Sequence, residues 1–217
     1  MTLPAQLVVL AKEPLPGRAK TRLSPPLTPA QCADVARACL LDTLAAVAAT
    51  PVAARTVVLD GSPAGWLPAG PDVLPQRSGD LGARLDGAFA DTWAARPLPL
   101  LLVGMDTPQA TPALLTSAVE ALLSPGTDAV LGLAADGGWW ALGLRRPVPG
   151  AFDGVPMSTD RAGAVQRERL AALGLRTSDL PELRDVDTVE DLTAVAAAVP
   201  RGSHLARVVG GLGLVAA

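Results

Sequence analysis

Short, almost uninterrupted apolar runs alternate along the chain with longer segments in which apolar residues recur every three or four positions. The first kind of pattern predicts buried strands and the second amphipathic helices. Strands are expected at 5–12 (AQLVVLAK), 54–60 (ARTVVLD) and 97–106, where PLPLLLVGM runs into Asp106. Two more are expected in 127–145, folded about the Asp136-Gly137-Gly138 turn. A helix is expected from Thr28, as N-cap, and Pro29, in the first turn, to about Ala49. Others are expected over 78–95, opening at Ser78-Gly79, and over 111–124, with Thr111 as N-cap and Pro112 behind it. A fourth follows from Ser158 to a stop at Gly174, and a short last one begins at Thr188 with Asp191 three residues on, as in a capping box.

Strands alternating with helices, the strands apolar on both faces, predict an α/β fold. The expected form is a three-layer α/β/α sandwich around a mostly parallel sheet. Its ligands would bind beyond the C-terminal strand ends, where the loop after the first strand, Asp106 and the Ser78-Gly79-Asp80 turn all fall. The 217 residues suit one domain over 1–217. Only the tail from about Pro200 is harder to place, since VPRGSH (199–204) has the form of a protease-site remnant but runs on into ordinary sequence. No apolar run is long enough to cross a membrane and no basic-then-apolar leader opens the chain, so the expected location is the cytoplasm.

Charge changes the picture in one place. The net charge of −3 argues against nucleic acid as a partner. Yet KEPLPGRAKTRL (12–23) holds both lysines of the chain, Lys12 and Lys20, together with Arg18 and Arg22. A glycine-broken basic loop leaving a strand and entering a helix can cradle a polyphosphate, with Gly17 allowing close approach of the backbone. It can also be a solvated charged loop. It matches neither the P-loop nor the dinucleotide-binding fingerprint. With one histidine, His204, and no tyrosine, chemistry falls to Lys, Arg, Asp, Glu and backbone amides. Cys32 and Cys39 lie two helical turns apart, too far to bridge, and read as core residues.

Four further stretches carry candidate chemistry. Asp106, at the end of a buried strand, needs a partner or cation and is a candidate ligand for Mg2+ or Mn2+, or else caps a turn through Thr107 and Pro108. In RDVDTVEDL, alternation sets Asp185 and Asp187 on one face and Val186 on the other, so either carboxylate could supply a second ligand, or Asp187 or Thr188 could simply cap the helix. The Asp136-Gly137-Gly138 turn and the two tryptophans after it could admit a substrate and wall a pocket, or form an ordinary hairpin. Gln76 could read a base edge, and Gly79 and Gly82 bracket a helix start that could hold an anion or only be capped.

Taken in order, KEPLPGRAKTRLSPPLTPAQ, GDLGARLDGAF, LVGMDTP, AADGGWWALGL and RDVDTVEDL resemble one family over roughly residues 7–192. It comprises the bacterial glycosyltransferase-like proteins labelled radical-SAM/selenodomain-associated transferases, formerly a domain of unknown function. The family is similar to the nucleotide-diphospho-sugar transferase superfamily with the GT-A fold. Within that superfamily it resembles the 2-phospholactate or phosphoenolpyruvate guanylyltransferase of coenzyme F420 synthesis, and more distantly the molybdenum-cofactor guanylyltransferase. The resemblance implies that Lys12, Arg18, Lys20 and Arg22 match a triphosphate-binding loop, with Lys20 and Asp106 catalytic. It implies metal ligation by Asp106 and Asp187, and Gln76 and Asp80 bordering the nucleotide alongside Gly17 and Gly79. Asp136, Gly137, Gly138 and Ser158 would face the acceptor. The Asp-x-Asp triplet common among glycosyltransferases of this fold is missing, because Met105 and Thr107 flank Asp106.

The expected function is metal-dependent transfer of a nucleotidyl group from an NTP, GTP among the candidates, to a small phosphorylated or hydroxyl acceptor, releasing pyrophosphate. The alternatives are glycosyl transfer from an NDP-sugar and a nucleotide-binding module that has lost its chemistry. Nucleotide and small-molecule acceptor are the expected partners, and a homo-oligomer is left open.

Overall fold

β1 (Leu3–Lys12) carries the first apolar run into the middle of a seven-stranded sheet. The computed structural model describes residues 1–63 and 65–213. β2 (Val52–Asp60) and β4 (Leu100–Gly104) flank β1 in parallel, and β3 (Asp72–Pro75) adds to β2 at one edge. β5 (Ala129–Ala134) and β6 (Trp139–Leu144) form the hairpin expected around the Asp-Gly-Gly turn, and β7 (Thr177–Leu183) closes the other edge. The spatial order is β3-β2-β1-β4-β6-β5-β7, with β6 alone running against its neighbours.

Side chains alternate across this sheet as the strand period requires. Leu7, Val9, Leu101 and Val103 face one way, against α1 (Pro29–Ala49) and α3 (Pro112–Leu123). Val8, Leu100, Leu102 and Leu131 face the other, against α2 (Leu81–Ala95) and α4 (Ala162–Ala172). A third cluster joins the outer side of α1 to α5 (Val189–Ala198) and α6 (His204–Gly211). The result is the expected α/β/α sandwich with a mostly parallel sheet.

Cys32 and Cys39 are buried and free on α1. Among the described residues no helix is long and apolar enough to cross a membrane.

Several helix starts follow the sequence closely. Thr28 caps α1 in a full capping box with Gln31, Thr111 caps α3 through the Leu114 amide, and Thr188 caps α5 in a box with Asp191. Others shift. The cap of α2 is Asp80, whose carboxylate accepts from the Ala83 amide, not Ser78. α4 begins at Ala162, four residues past Ser158, which adopts a left-handed backbone (φ 62°) instead of capping. The helix at Thr188 is not the last: the tail forms α6, whose first amides, on His204 and Leu205, donate to the Asp42 carboxylate of α1.

Candidate active site

The basic loop is held from within. Ala19 and Leu23 are buried, and Leu23 joins the cluster that contains Cys39, so the chain between them is pinned to the domain. Gly17 turns the loop at φ 75°, and Lys20 adopts the left-handed region at φ 51° as it enters a single 3-10 turn, Thr21–Leu23. Non-glycine residues seldom take that conformation. Here it aims the Lys20 side chain inward, leaving it 5% exposed.

Lys20 Nζ lies 2.9 Å from Asp106 Oδ2 and 3.1 Å from Asp187 Oδ1. Arg22 Nη1 donates to the other Asp187 oxygen at 3.0 Å. Two of the loop's four cations are thus engaged by carboxylates of the protein. Among the described residues the side chains of Lys12 and Arg18 make no hydrogen bond or ion pair, and both line the same cleft.

The carboxylates arrive from two strand ends. Asp106 follows β4 two residues past Gly104. Asp185 and Asp187 follow β7 and, as alternation predicts, both turn to the cleft while Val186 is fully buried between them. The two loops are tied together: the Val186 amide donates to the Asp106 carbonyl at 3.2 Å, and Gln109 Nε2 donates to the Arg184 carbonyl at 2.6 Å.

Asp185 Oδ1 is buried without a partner. Burial, reinforced by the neighbouring Asp106 charge and opposed by Lys20, pushes the Asp185 carboxyl up to about 7. For Lys20, burial disfavours the ammonium, but the Asp106 and Asp187 charges outweigh it and raise the group above its ordinary range. Lys20 is therefore charged throughout the neutral range.

The cleft has a volume of about 590 Å3. Its basic and acidic end is the cluster above. Its other end is apolar, made by Leu81 and Leu85 of α2, Trp139 of β6 and Met157, with Asp136, Ser158, Thr159 and Asp160 on the rim. The paired tryptophans divide their roles by strand alternation: Trp139 faces the cleft and stacks on Phe152, whereas Trp140 is buried and donates from Nε1 to the Pro181 carbonyl of β7.

Gly137 sits at φ 88°, and a Cβ there would overlap the Asp160 carbonyl oxygen. The hairpin turn thus touches backbone of the segment before α4, and the Gly163 amide donates to the Gly137 carbonyl at 2.8 Å. Gly137→Ala combines a left-handed backbone with a backbone clash. We expect it to cost about 2 kcal/mol or more, seen as a lower urea midpoint at unchanged slope.

The cleft gathers Lys12, Arg18, Lys20, Arg22, Asp106, Asp136, Gly138, Ser158 and Asp187 from the residues singled out in the sequence. It does not gather Gly17, Gln76, Gly79, Asp80 or Gly137. The Gln76 amide is spent inside the fold, donating to the Ala11 and Val58 carbonyls and accepting from Arg84. Asp80 is occupied as a cap, so the start of α2 is already supplied with a carboxylate. Thr159, Asp160 and Met157 were not foreseen. A polar trio ahead of a helix reads as a cap, and only the φ of Ser158 turns it to the cleft.

A divalent cation can be tested against these side chains. Among the described residues no group of three or more His, Cys, Asp or Glu side chains is arranged to hold a metal. Lys20 Nζ stands where the Asp106 and Asp187 oxygens converge. The donors are nonetheless of the right kind: hard oxygens, with the unpartnered Asp185 Oδ1 beside them, which suits Mg2+ or Mn2+ held by one or two carboxylates and completed by substrate phosphates. In this structure the Asp106 and Asp187 oxygens are occupied by the Lys20 ammonium.

A family profile described as an uncharacterized protein conserved in bacteria (DUF2064) matches residues 40–159, more than half of the chain. The chain belongs to that family. Asp106, Asp136 and Ser158 fall within the matched span, whereas the basic loop and Asp187 lie outside it. No protein of curated function matches in sequence.

Among solved structures, a candidate nucleotide-diphospho-sugar transferase from Desulfovibrio desulfuricans G20 matches with 25% identity and a TM-score of 0.87, over 97% of this chain and 95% of its own. Rv0371c from Mycobacterium tuberculosis H37Rv, solved with manganese, matches at 22% identity and TM-score 0.54, over 90% of this chain and 98% of its own. CMP:2-keto-3-deoxy-manno-octonic acid synthetase, solved with CTP, matches at 15% identity and TM-score 0.56, over 89% and 97%. The fold is therefore that of nucleotide-diphospho-sugar transferase-like proteins, among which transferases that use nucleotides recur.

Proposed function

We infer that the protein is a metal-dependent nucleotidyltransferase acting on a small phosphorylated or hydroxyl acceptor. The observation that carries this reading is the position of Lys20, inside a cleft at the C-terminal strand ends, between Asp106 and Asp187, with Lys12 and Arg18 unpaired beside it. An acceptor oxygen would attack the α-phosphorus of an NTP and the bond to pyrophosphate would break. Lys12 and Arg18 would hold the leaving phosphates, and Lys20 would follow charge onto the transferred group, as a compact cation on a flexible stem can. A bound Mg2+ or Mn2+ would neutralise phosphate charge from the Asp106 and Asp187 side. Such preorganised positive charge dominates phosphoryl chemistry. The resemblance to guanylyltransferases makes GTP the first donor to test, with 2-phospholactate or phosphoenolpyruvate the first acceptors.

The likeness to a candidate nucleotide-diphospho-sugar transferase supports a second reading, glycosyl transfer from an NDP-sugar with Asp136 on the rim as base. Unpaired Lys12 and Arg18 favour the first, since a third phosphate gives them more to hold. A thermal-shift panel of NTPs and NDP-sugars, each with and without Mg2+, separates the two. Nucleotidyl transfer predicts that an NTP with Mg2+ stabilises most. Stabilisation by an NDP-sugar alone, with no response to any NTP, would establish glycosyl transfer instead.

A further inference from the structure

We propose that Lys20 is an internal counter-ion for the metal site: it fills the carboxylate cluster when no nucleotide is bound, so that the divalent cation enters only with the nucleotide. This rests on the metal-dependent reading of the same site. The ammonium is in contact with both Asp106 and Asp187, so an ion between those oxygens and Lys20 Nζ exclude each other. Exchanging the ammonium for a divalent ion would add one positive charge to a cleft in which Asp185 Oδ1 is buried without a partner.

What keeps the exchange from happening freely is where a displaced ammonium would go. The Lys20 side chain is almost fully buried, and pulling a charge out of its pair without a new partner is costly. A phosphate brought in beside Lys12 and Arg18 supplies that partner, because all three side chains line one cleft. Nucleotide and metal then bind as a unit, each raising the affinity of the other by the same factor. The flexible lysine stem makes the move a rotamer change, whereas an arginine's planar fork, made for bidentate pairing, is poorly suited to it.

The test is Mn2+ binding followed by electron paramagnetic resonance on the full chain, without nucleotide. Wild type is expected to leave Mn2+ free. Lys20→Met, close in shape but uncharged, is expected to bind one Mn2+ on the order of a hundredfold more tightly, and adding Asp106→Asn to it should abolish that binding. Wild type binding Mn2+ as tightly as Lys20→Met, or Lys20→Met failing to bind it, would overturn the proposal. If Lys20→Met does not fold, wild type alone decides: Mn2+ uptake unchanged by a non-hydrolysable NTP contradicts the exchange, and uptake only with it supports the exchange. The first arm contains no nucleotide, so its failure is distinct from failure of the transferase reading, which NTP-dependent pyrophosphate release, measured separately, decides.

Discussion

Lys20→Ala is expected to lower NTP-dependent pyrophosphate release by a factor of about 100 to 1,000, while the far-ultraviolet circular dichroism stays that of the wild type. The factor is the one typical for removing a single preorganised group that stabilises transition-state charge. Lys20 is held in the cleft by its left-handed backbone, the buried Ala19 and Leu23 on either side, and the two carboxylates that contact its ammonium. The fold should survive because Asp106 and Asp187 are each about a third exposed, so water can solvate them when the lysine is gone. The steady-state rate over a panel of phosphorylated and hydroxyl acceptors checks this, and a rate within a few-fold of wild type would remove Lys20 from the chemistry.

Asp106→Asn is the second large effect. With NTP at about a hundred times its Kd, and Mg2+ present, ligand binding adds about 2.7 kcal/mol to wild-type stability. In a chain of this size that is roughly 5–10 °C in Tm. Asp106→Asn should lose most of the part that depends on Mg2+ while keeping the part that does not, since Lys12, Arg18 and Lys20 remain. The variant keeps the shape and backbone of the β4–α3 loop, including the Asp106 carbonyl that accepts from Val186, so the loss would be one of charge. An Mg2+-dependent shift equal to that of wild type would clear Asp106 of metal binding.

Much of this arrangement was legible in the sequence. Strands β1, β2, β4, β5 and β6 each carry a short apolar run, LVVLA in β1 and VVL in β2, because both their faces are covered there. β3 and β7 were not seen, for a shared reason. Both lie at sheet edges, where one side needs no partner, and their sequences, DVLP and TSDLPEL, show neither an apolar run nor a clean alternation. Each also contains a proline, which edge strands tolerate and central strands do not. α6 carries a local cap, Ser203, which accepts from the Ala206 amide, but that serine sits in VPRGSH, whose protease-site form hid the helix start; Asp42 on α1 adds a long-range acceptor for the first two amides.

In the site, local reading found the basic loop and the carboxylates, since lysine placement and a strand-terminal Asp are one-dimensional signals. It did not find that Lys20 and Asp187, 167 residues apart, neutralise each other, because that contact depends on how β1 and β7 lie in the sheet. It offered Gln76 to the nucleotide on its amide and on the family resemblance. The fold shows that amide bridging β1 and β2, a use that only the neighbouring backbone could disclose.

The proposed donor is an NTP cleaved to pyrophosphate. It is tested most directly by phosphorus NMR of the protein with Mg2+, a panel of acceptors, and GTP or GDP-sugar in parallel tubes. A pyrophosphate resonance is expected to grow in the GTP tube and to be absent with Lys20→Ala. Release of GDP from the sugar nucleotide, with GTP left intact, would contradict it.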